Sequence, residues 1–335
     1  MTKRFIESSF CEEDSTYETP LRPDNLHDFV GQEKVREQLE VLMGAAKKRS
    51  DVLGHCLFSG PPGLGKTTLS RIIASSMGTN ITVTSGPVIE RAGDLAGILT
   101  NLKEGDVLFI DEIHRINRTI EEYLYPAMED FQLDLVIDAG SNARSVKVKL
   151  NRFTLVGATT RLGLLSSPLR SRFALSLRLD YYAPEVLQKI LFRSAKLLKL
   201  EFDETSLLEI ANRSRGTPRI ANNLLRWVRD FAVMRSTEGK ISKDVTQQAL
   251  EMLSIDERGL DEMDMRLLSV LIDHYQGGPV GLQTLSHAIG EEMHTIEEVH
   301  EPFLIMQGLL KRTPRGREAT QQAFSHLDRP LPQRG

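Results

Sequence analysis

Val107-Leu108-Phe109-Ile110 places four apolar residues in a row and then runs directly into Asp111-Glu112. An apolar run without alternation fits a strand buried on both faces, as in a parallel sheet. Its two carboxylates then emerge at the C-terminal end, where ligands of α/β sheets sit. Two further runs share this texture: His55-Cys56-Leu57-Phe58, and Phe153 to Ala158 ending in the hydroxyls of Thr159 and Thr160. Ile81-Thr82-Val83-Thr84 is β-branched and alternating, which predicts another strand before the Gly86-Pro87 break. Between these runs the spacing changes to that of helices. Val35, Leu39 and Leu42 follow Phe29-Val30-Gly31-Gln32, and Leu69-Ser70-Arg71-Ile72-Ile73-Ala74 runs on to Met77, with Gly78 as a C-cap.

From Phe131 to Leu150 the period returns to two. Leu133, Leu135 and Ile137 alternate, Ala139-Gly140-Ser141-Asn142 reads as a turn, and Val146, Val148 and Leu150 alternate again between Lys147 and Lys149. The pattern predicts a β-hairpin inserted in the α/β unit. Its apolar face suits either a sheet edge or a docking surface for a protein partner. After Tyr181-Tyr182-Ala183-Pro184 only helical spacing remains. Gly216-Thr217-Pro218-Arg219 divides two such stretches, with Thr217 as a possible N-cap and Pro218 as the first helical residue. From about Ile255, three helical patterns precede Lys311-Arg312-Thr313-Pro314-Arg315-Gly316-Arg317, a combination that suggests a winged helix-turn-helix. The expected organisation is a flexible leader (1–20), a large α/β domain (21–181) with its hairpin at 131–150, a small helical domain (182–254) and a winged-helix head (255–335).

Composition narrows the class. A chain of 335 residues with 40% hydrophobic and 26% charged residues is ordinary for a globular protein of several domains. No apolar run approaches the roughly 20 residues of a membrane span. The two cysteines, Cys11 and Cys56, form neither a disulfide framework nor a metal cluster and suit a reducing cytosol, so a cytoplasmic location is expected. The net charge of −4 gives no global attraction to nucleic acid, so any such contact falls to a local patch.

Chemistry concentrates at Gly60-Pro61-Pro62-Gly63-Leu64-Gly65-Lys66-Thr67-Thr68, which fits the phosphate-binding pattern G-x-x-x-x-G-K-[ST] between a strand and a helix. Glycines let backbone N–H groups turn inward on phosphate oxygens, and the helix N-terminus adds its positive end. Lys66 supplies a charge for the β- and γ-phosphates of a nucleoside triphosphate, and Thr67 a hydroxyl for Mg²⁺. Downstream of that loop, Asp111 can hold the Mg²⁺ water shell and Glu112 can polarise the attacking water. His114 next to them suits a structural role better than a catalytic one. Thr159 is placed to hydrogen-bond the γ-phosphate or the water, with Thr160 in reserve. Arg170 and Arg172 follow Ser167-Pro168; one of them would complete a neighbour's site if the chain forms a ring, and otherwise they form a basic turn. Arg219, a cation in the first turn of a helix, asks for an anionic partner, either a nucleotide phosphate or a carboxylate. The cations at 311–317 can anchor DNA phosphates or lie solvated.

Together these motifs resemble the RuvB family, the bacterial Holliday-junction branch-migration motors of the AAA+ class. The likeness is carried by Gly60–Thr68, Leu108–Arg115, Tyr125–Asp130, Gly157–Arg161, Gly216–Asn222, Gly277–Leu282 and Arg312–Arg317 in that order. It implies an ATP-hydrolysing, Mg²⁺-dependent homohexamer that moves duplex DNA at Holliday junctions, docks the RuvA tetramer on its hairpin and works beside the RuvC resolvase. By the resemblance, Leu21, Arg22 and Tyr182 line the adenine and ribose region, and Gly63, Lys66, Thr67 and Thr68 hold the phosphates. Glu129, Asp130 and Phe131 lie near nucleotide, Thr159 senses the γ-phosphate, Arg172 acts in trans, and Arg219 senses nucleotide from the small domain. Arg312 and Arg317 touch DNA phosphates. The family often carries an arginine where this chain has Met293 and His294. A clamp-loader or protein-remodelling AAA+ switch is the other class that the nucleotide motifs allow.

Overall fold

The computed structural model describes residues 19–136, 145–235 and 239–332. The leader up to residue 18, Ile137 and the turn expected at 139–142 lie outside the described residues. The chain divides into two compact units between Tyr182 and Ala183.

In the first unit α1 (Glu33–Arg49), β1 (Cys56–Ser59), α2 (Lys66–Met77), β2 (Ile81–Ser85), α3 (Ala92–Thr100), β3 (Val107–Asp111) and α4 (Arg118–Glu129) follow one another. The hairpin strands β4 (Gln132–Val136) and β5 (Ser145–Lys149), then β6 (Thr154–Thr159), α5 (Ser167–Ser171) and β7 (Leu175–Arg178), complete it. The sheet has the order β2-β3-β6-β1-β7, and every pairing in it is parallel. Continuous apolar runs mark the buried strands: β1, β6 and the apolar part of β3 are buried throughout, whereas β2 lies at an edge and is half exposed. This is the α/β expectation realised.

Strand β7 was not among the expected elements, although Leu175, Leu177 and Leu179 alternate. It closes the sheet beside β1 and pairs Ser59 with Arg178. In α1 the third buried anchor is Met43 and not Leu42, because Val35, Leu39, Met43 and Ala46 fall on one face. Leu57, Leu108, Ile110 and Leu155 pack against α3 and α4 through Leu95, Leu99, Ile120 and Leu124.

β4 and β5 form a separate antiparallel ribbon, with Leu133 opposite Val148 and Leu135 opposite Val146. Leu133 is fully buried and Val148 packs on the same core, so the base of the hairpin is anchored, while Val146 near the described end is exposed.

The second unit holds α6 (Pro184–Leu197), α7 (Glu204–Asn212), α8 (Pro218–Arg235) and α9 (Lys243–Met252). It continues with α10 (Glu262–Ser269), α11 (Leu282–Ile289), a helical stretch from Met293 through a π-turn into α12 (Glu301–Met306), the strands β8 (Leu310–Thr313) and β9 (Gly316–Ala319), and α13 (Gln321–His326). Helix α8 starts at Pro218, where a missing N–H costs nothing. β8 and β9 pair antiparallel with Arg312 opposite Arg317, joined by the turn Pro314-Arg315. Their other neighbour is Val280, bridged to Arg317. Leu267, Leu271, Leu285, Ile296, Phe303 and Phe324 fill the head core. The head is therefore the winged helix expected from its pattern.

Two buried polar groups beside β1 are fully explained by their surroundings. Burial pushes the Cys56 thiol up to about 12, which keeps it protonated and unreactive. His55 Nδ1 accepts from the Leu155 N–H at 2.8 Å, and Nε2 donates to the Met128 carbonyl at 3.0 Å. Nδ1 has no room for a second proton, and desolvation lowers the pKa of His55. The unfolded chain therefore takes up this proton first as pH falls, and the stabilisation by neutral His55, complete above its unfolded value, is lost below it. Thermal unfolding of the full chain between pH 7.5 and 5.5 should show a smaller loss of stability for His55→Gln than for the parent, although the variant is less stable at pH 7.5.

Candidate functional site

Strand β1 delivers the phosphate loop, and the register fixes what surrounds it. Ser59 lies opposite Thr159, and the Gly60 N–H donates to the Thr159 carbonyl at 3.2 Å. The loop therefore begins beside the end of β6. Gly60, Gly63 and Gly65 take φ values of 136°, 77° and 102°. Each lies in the region that a Cβ disfavours. A Cβ on Gly60 would stand 2.3 Å from the Leu179 carbonyl oxygen, and one on Gly65 would stand 3.1 Å from the Phe29 ring. Neighbours as well as conformation thus require glycine. The Lys66 ammonium donates to the carbonyls of Gly60 and Pro61, both at 2.8 Å, which holds the cation inside the loop. The α2 N-terminus has no side-chain cap and no acidic residue in its first turn. A cradle of turned backbone, an enclosed cation and an uncompensated positive helix end fits the phosphates of a nucleotide. Thr67 and Thr68 stand in that first turn, half buried.

Of the residues expected around base and sugar, Tyr182 packs directly against the phosphate loop. Tyr182 is buried and its hydroxyl donates to the Leu64 carbonyl at 3.2 Å; burial raises its pKa. The Gln32 amide grips the Asp180 backbone, donating to its carbonyl at 2.6 Å and accepting from its N–H at 3.3 Å. Leu21 is buried, and Arg22 lies near enough to Arg71 that, after burial, its charge helps lower the Arg71 pKa. Two cations close together are suited to an anion or a ribose hydroxyl cluster.

Two adjacent carboxylates emerge at the end of β3. Asp111 ends the strand, and its Oδ1 accepts from the Glu112 N–H at 3.0 Å. Glu112 itself has φ 46°, a left-handed turn that swings its side chain off the strand line. The Glu112 Oε2 accepts from the Thr160 hydroxyl at 3.2 Å and lies 3.3 Å from His114 Nδ1. Thr159 does not face this carboxylate. It is fully buried, its Oγ1 accepts from the Arg161 N–H at 3.0 Å and it lies 2.9 Å from His114 Nδ1. Thr160 is therefore the hydroxyl that meets Glu112, and His114 ties the Thr159 hydroxyl to the same carboxylate. Strand β6 ends at Thr159, and the bend at Thr160 carries the second hydroxyl to Glu112.

Gly86 supports Glu112 from behind. A Cβ there would stand 2.4 Å from the Glu112 carbonyl oxygen and 3.3 Å from the Ile116 nitrogen. Both obstacles are backbone, so Gly86→Ala must displace Glu112. Equilibrium nucleotide binding should stay within a few-fold of the parent, while turnover falls on the order of 100-fold, the cost of a misplacement near 1 Å. Equal losses in both would point to a folding defect instead.

Glu129, Asp130, Phe131 and Arg172 gather at the opposite end of the sheet. His55, which precedes β1, bonds the Met128 carbonyl, and its ring centroid lies 6.3 Å from that of Phe131. The phosphate loop follows β1, so about 13 Å of strand separates the two groups. Phe131 packs edge-on against Phe153 with centroids 5.8 Å apart. Arg172 stacks over the Tyr125 ring at 4.3 Å, donates to Glu129 at 3.1 Å and to the Pro168 carbonyl at 2.7 Å. Four expected nucleotide neighbours thus form a preorganised patch remote from the phosphate loop of their own chain.

Arg219 lies half buried in the first turn of α8. In the wing, Arg312 is exposed and pairs with Glu297, and its Nε lies 3.6 Å from Glu301. Arg317, opposite it, is buried: its Nε donates to Glu301 at 2.5 Å and its Nη2 to Glu297 at 3.1 Å. Desolvation opposes that charge but the two carboxylates outweigh it, so the Arg317 pKa is raised. Lys311 and Arg315 are exposed. No helix among the described residues is long and apolar enough to cross a membrane.

Comparison with known proteins agrees from residue 21 to residue 328. The family described as Holliday junction DNA helicase RuvB P-loop domain matches residues 21–179, the RuvB AAA lid domain 182–256 and the RuvB C-terminal winged helix domain 257–328. The Holliday junction branch migration complex subunit RuvB of Protochlamydia amoebophila is 64% identical over 327 residues, covering 98% of each chain. That of Salinibacter ruber is 55% identical, covering 95% of this chain and 92% of the relative. The solved Thermotoga maritima RuvB Holliday junction branch migration motor superposes with a TM-score of 0.84 at 50% identity, over 93% of this chain and all of that one. With three successive domains matched, a nucleotide cradle on β1 and a basic wing on the head, the chain belongs to the RuvB family of P-loop ATPases.

Proposed function

We propose that this protein is an ATP-hydrolysing motor that drives branch migration of Holliday junctions, working as a homohexameric ring on duplex DNA. The observation that carries the ring is the separation of the nucleotide groups to opposite ends of one sheet. Arg172, fixed by Glu129 and Tyr125, cannot serve the phosphate loop of its own chain, but a neighbour in a head-to-tail ring would present its loop to that patch. Glu129, Asp130 and Phe131 then line the nucleotide from the second subunit. An arginine held in advance loses little on meeting the developing charge of the transition state.

Within one subunit, Leu21, Arg22 and Tyr182 hold the base and sugar, and Gly63, Lys66, Thr67 and Thr68 hold the phosphates. Thr67 and Asp111 are the residues suited to Mg²⁺, which would neutralise charge on the β- and γ-phosphates. Glu112 orients and deprotonates the attacking water, and Thr160 positions Glu112 and senses the γ-phosphate in place of Thr159. Arg219 reports nucleotide state to the small helical domain.

The hairpin is the docking surface for a RuvA tetramer. Val146 lies beyond the anchored Leu133–Val148 pair and is exposed, so an apolar side chain is offered past the core. The head contacts DNA phosphates through Arg312, helped by Lys311 and Arg315, while Arg317 braces the wing from within. RuvC is the nuclease partner expected at the same junction, and the cytoplasm is the setting.

The test is ATP turnover with and without duplex DNA and RuvA, for the parent and for an equal mixture of Arg172→Ala and Lys66→Ala chains. Both ligands should stimulate the parent. Each variant alone should be nearly inactive, and the mixture should recover activity, since about a quarter of randomly mixed interfaces join two intact halves. Absence of stimulation excludes the motor, and absence of recovery excludes the shared site.

A further inference from the structure

The small helical domain and the winged head are joined by more than a linker. Arg213 and Arg215, on the loop between α7 and α8, are both buried, with side chains 5% and 4% exposed. Arg213 donates to Glu209 at 2.5 Å and to the Ile255 carbonyl at 2.9 Å. Arg215 Nε donates to the Gly259 carbonyl at 2.9 Å, and its Nη2 reaches Asp264 at 2.5 Å and Asp261 at 3.1 Å. Its guanidinium lies 4.6 Å from the centre of the Phe303 ring. The connecting segment presses on this loop as well: a Cβ on Gly259 would stand 2.8 Å from the Arg213 carbonyl oxygen.

The chain of contacts continues to the wing. Asp264 is fully buried, and its second oxygen lies 2.6 Å from His300 Nδ1. The next residue, Glu301, is 1% exposed and holds Arg317 of β9 at 2.5 Å. Asp261, Asp264 and His300 come close enough to form a cation site by geometry alone. The Arg215 guanidinium already bridges both carboxylates, so the positive charge there is supplied by the chain.

We propose that Arg215 is a positioning residue that locks the small helical domain to the head, so that the loop before Arg219 and the DNA-facing wing move as one rigid lever. Arg215 stands four residues before Arg219, and its own backbone is left-handed at φ 53°, followed by Gly216 at 68°. A residue with a Cβ keeps that conformation only when its surroundings fix it, and here the side chain is tied at Gly259, Asp261, Asp264 and Phe303. A buried ion network is an expensive way to stabilise an interface, since apolar residues of similar volume often do as well. It does fix register: a planar guanidinium held at once through Nε and Nη2 accepts one arrangement, whereas apolar side chains can slide. A lever needs that fixed register. Rotation of the segment carrying Arg219 then reaches Arg317 through Asp264, His300 and Glu301 without loss.

This inference rests on the motor reading for its consequence, but not for its geometry, and two measurements separate them. Spin labels on Lys189→Cys and Gln321→Cys, with Cys11→Ser, report the distance between the small domain and the head in the full chain. The parent should give one narrow distribution that is unchanged by ATP or ADP. Arg215→Lys keeps the charge but cannot bond Gly259 and both carboxylates together, and it should broaden that distribution. Asp264→Asn, closer in shape to the parent, should do so as well. In the same variants, ATP consumed per length of junction migrated should rise at least fivefold, while ATPase without DNA and DNA affinity stay within twofold. Partial unfolding would lower all activities together and leave that ratio unchanged. A narrow distribution in both variants overturns the lever, whether or not the parent moves junctions. A broad distribution with an unchanged ratio overturns the claim that the lock couples hydrolysis to movement.

Discussion

The pairing of β1 between β6 and β7 is the constraint on which the nucleotide site depends. It brings the Leu179 carbonyl against Gly60, the Thr159 carbonyl onto the Gly60 N–H, and the β6 hydroxyls beside the end of β3. The phosphate loop therefore has its shape imposed from both sides. Its glycines do more than permit unusual φ angles; they admit a neighbouring backbone that any Cβ would exclude. Preorganisation of this kind lets N–H groups and Lys66 meet phosphate charge without first rearranging.

The same sheet has two working ends. At the C-terminal end of the strands stand the phosphate loop, Asp111, Glu112 and Thr160. At the other end stand Arg172, Glu129 and the aromatic group around Phe131 and His55. A parallel sheet makes such a molecule asymmetric by construction, because all strands end on one side. Head-to-tail assembly is the arrangement that uses both ends at once, and a closed ring leaves neither idle. In the second unit, buried ion pairs connect the loop before Arg219 to the wing. That loop and the wing thus belong to one network whose geometry is fixed.

Much of this was legible in the sequence, because strong local chemistry leaves strong local patterns. The glycines and Lys66, the four apolar residues before Asp111, and the alternation around the hairpin each identify an element and its place. What was missed depends on three-dimensional register. Thr159 and Thr160 are adjacent and identical, and only the bend after β6 decides which one meets Glu112. Strand β7 alternates at Leu175, Leu177 and Leu179, but the run is short and lies between polar residues. Arg317 resembles Arg312 as a basic residue of the wing; only the pairing across the ribbon, with Val280 and Glu301 behind it, turns it inward. Arg215 gave no signal at all, since its partners Asp261, Asp264 and Phe303 lie 46 to 88 positions away in the sequence.

The central claim is that Glu112 acts on water at a cradle built independently of it. The direct measurement is ATP affinity and single-turnover hydrolysis of Glu112→Gln beside the parent. Binding should be retained within a few-fold while hydrolysis falls roughly 10²- to 10⁴-fold, the usual contribution of a general base. Hydrolysis near the parent's rate would contradict the account.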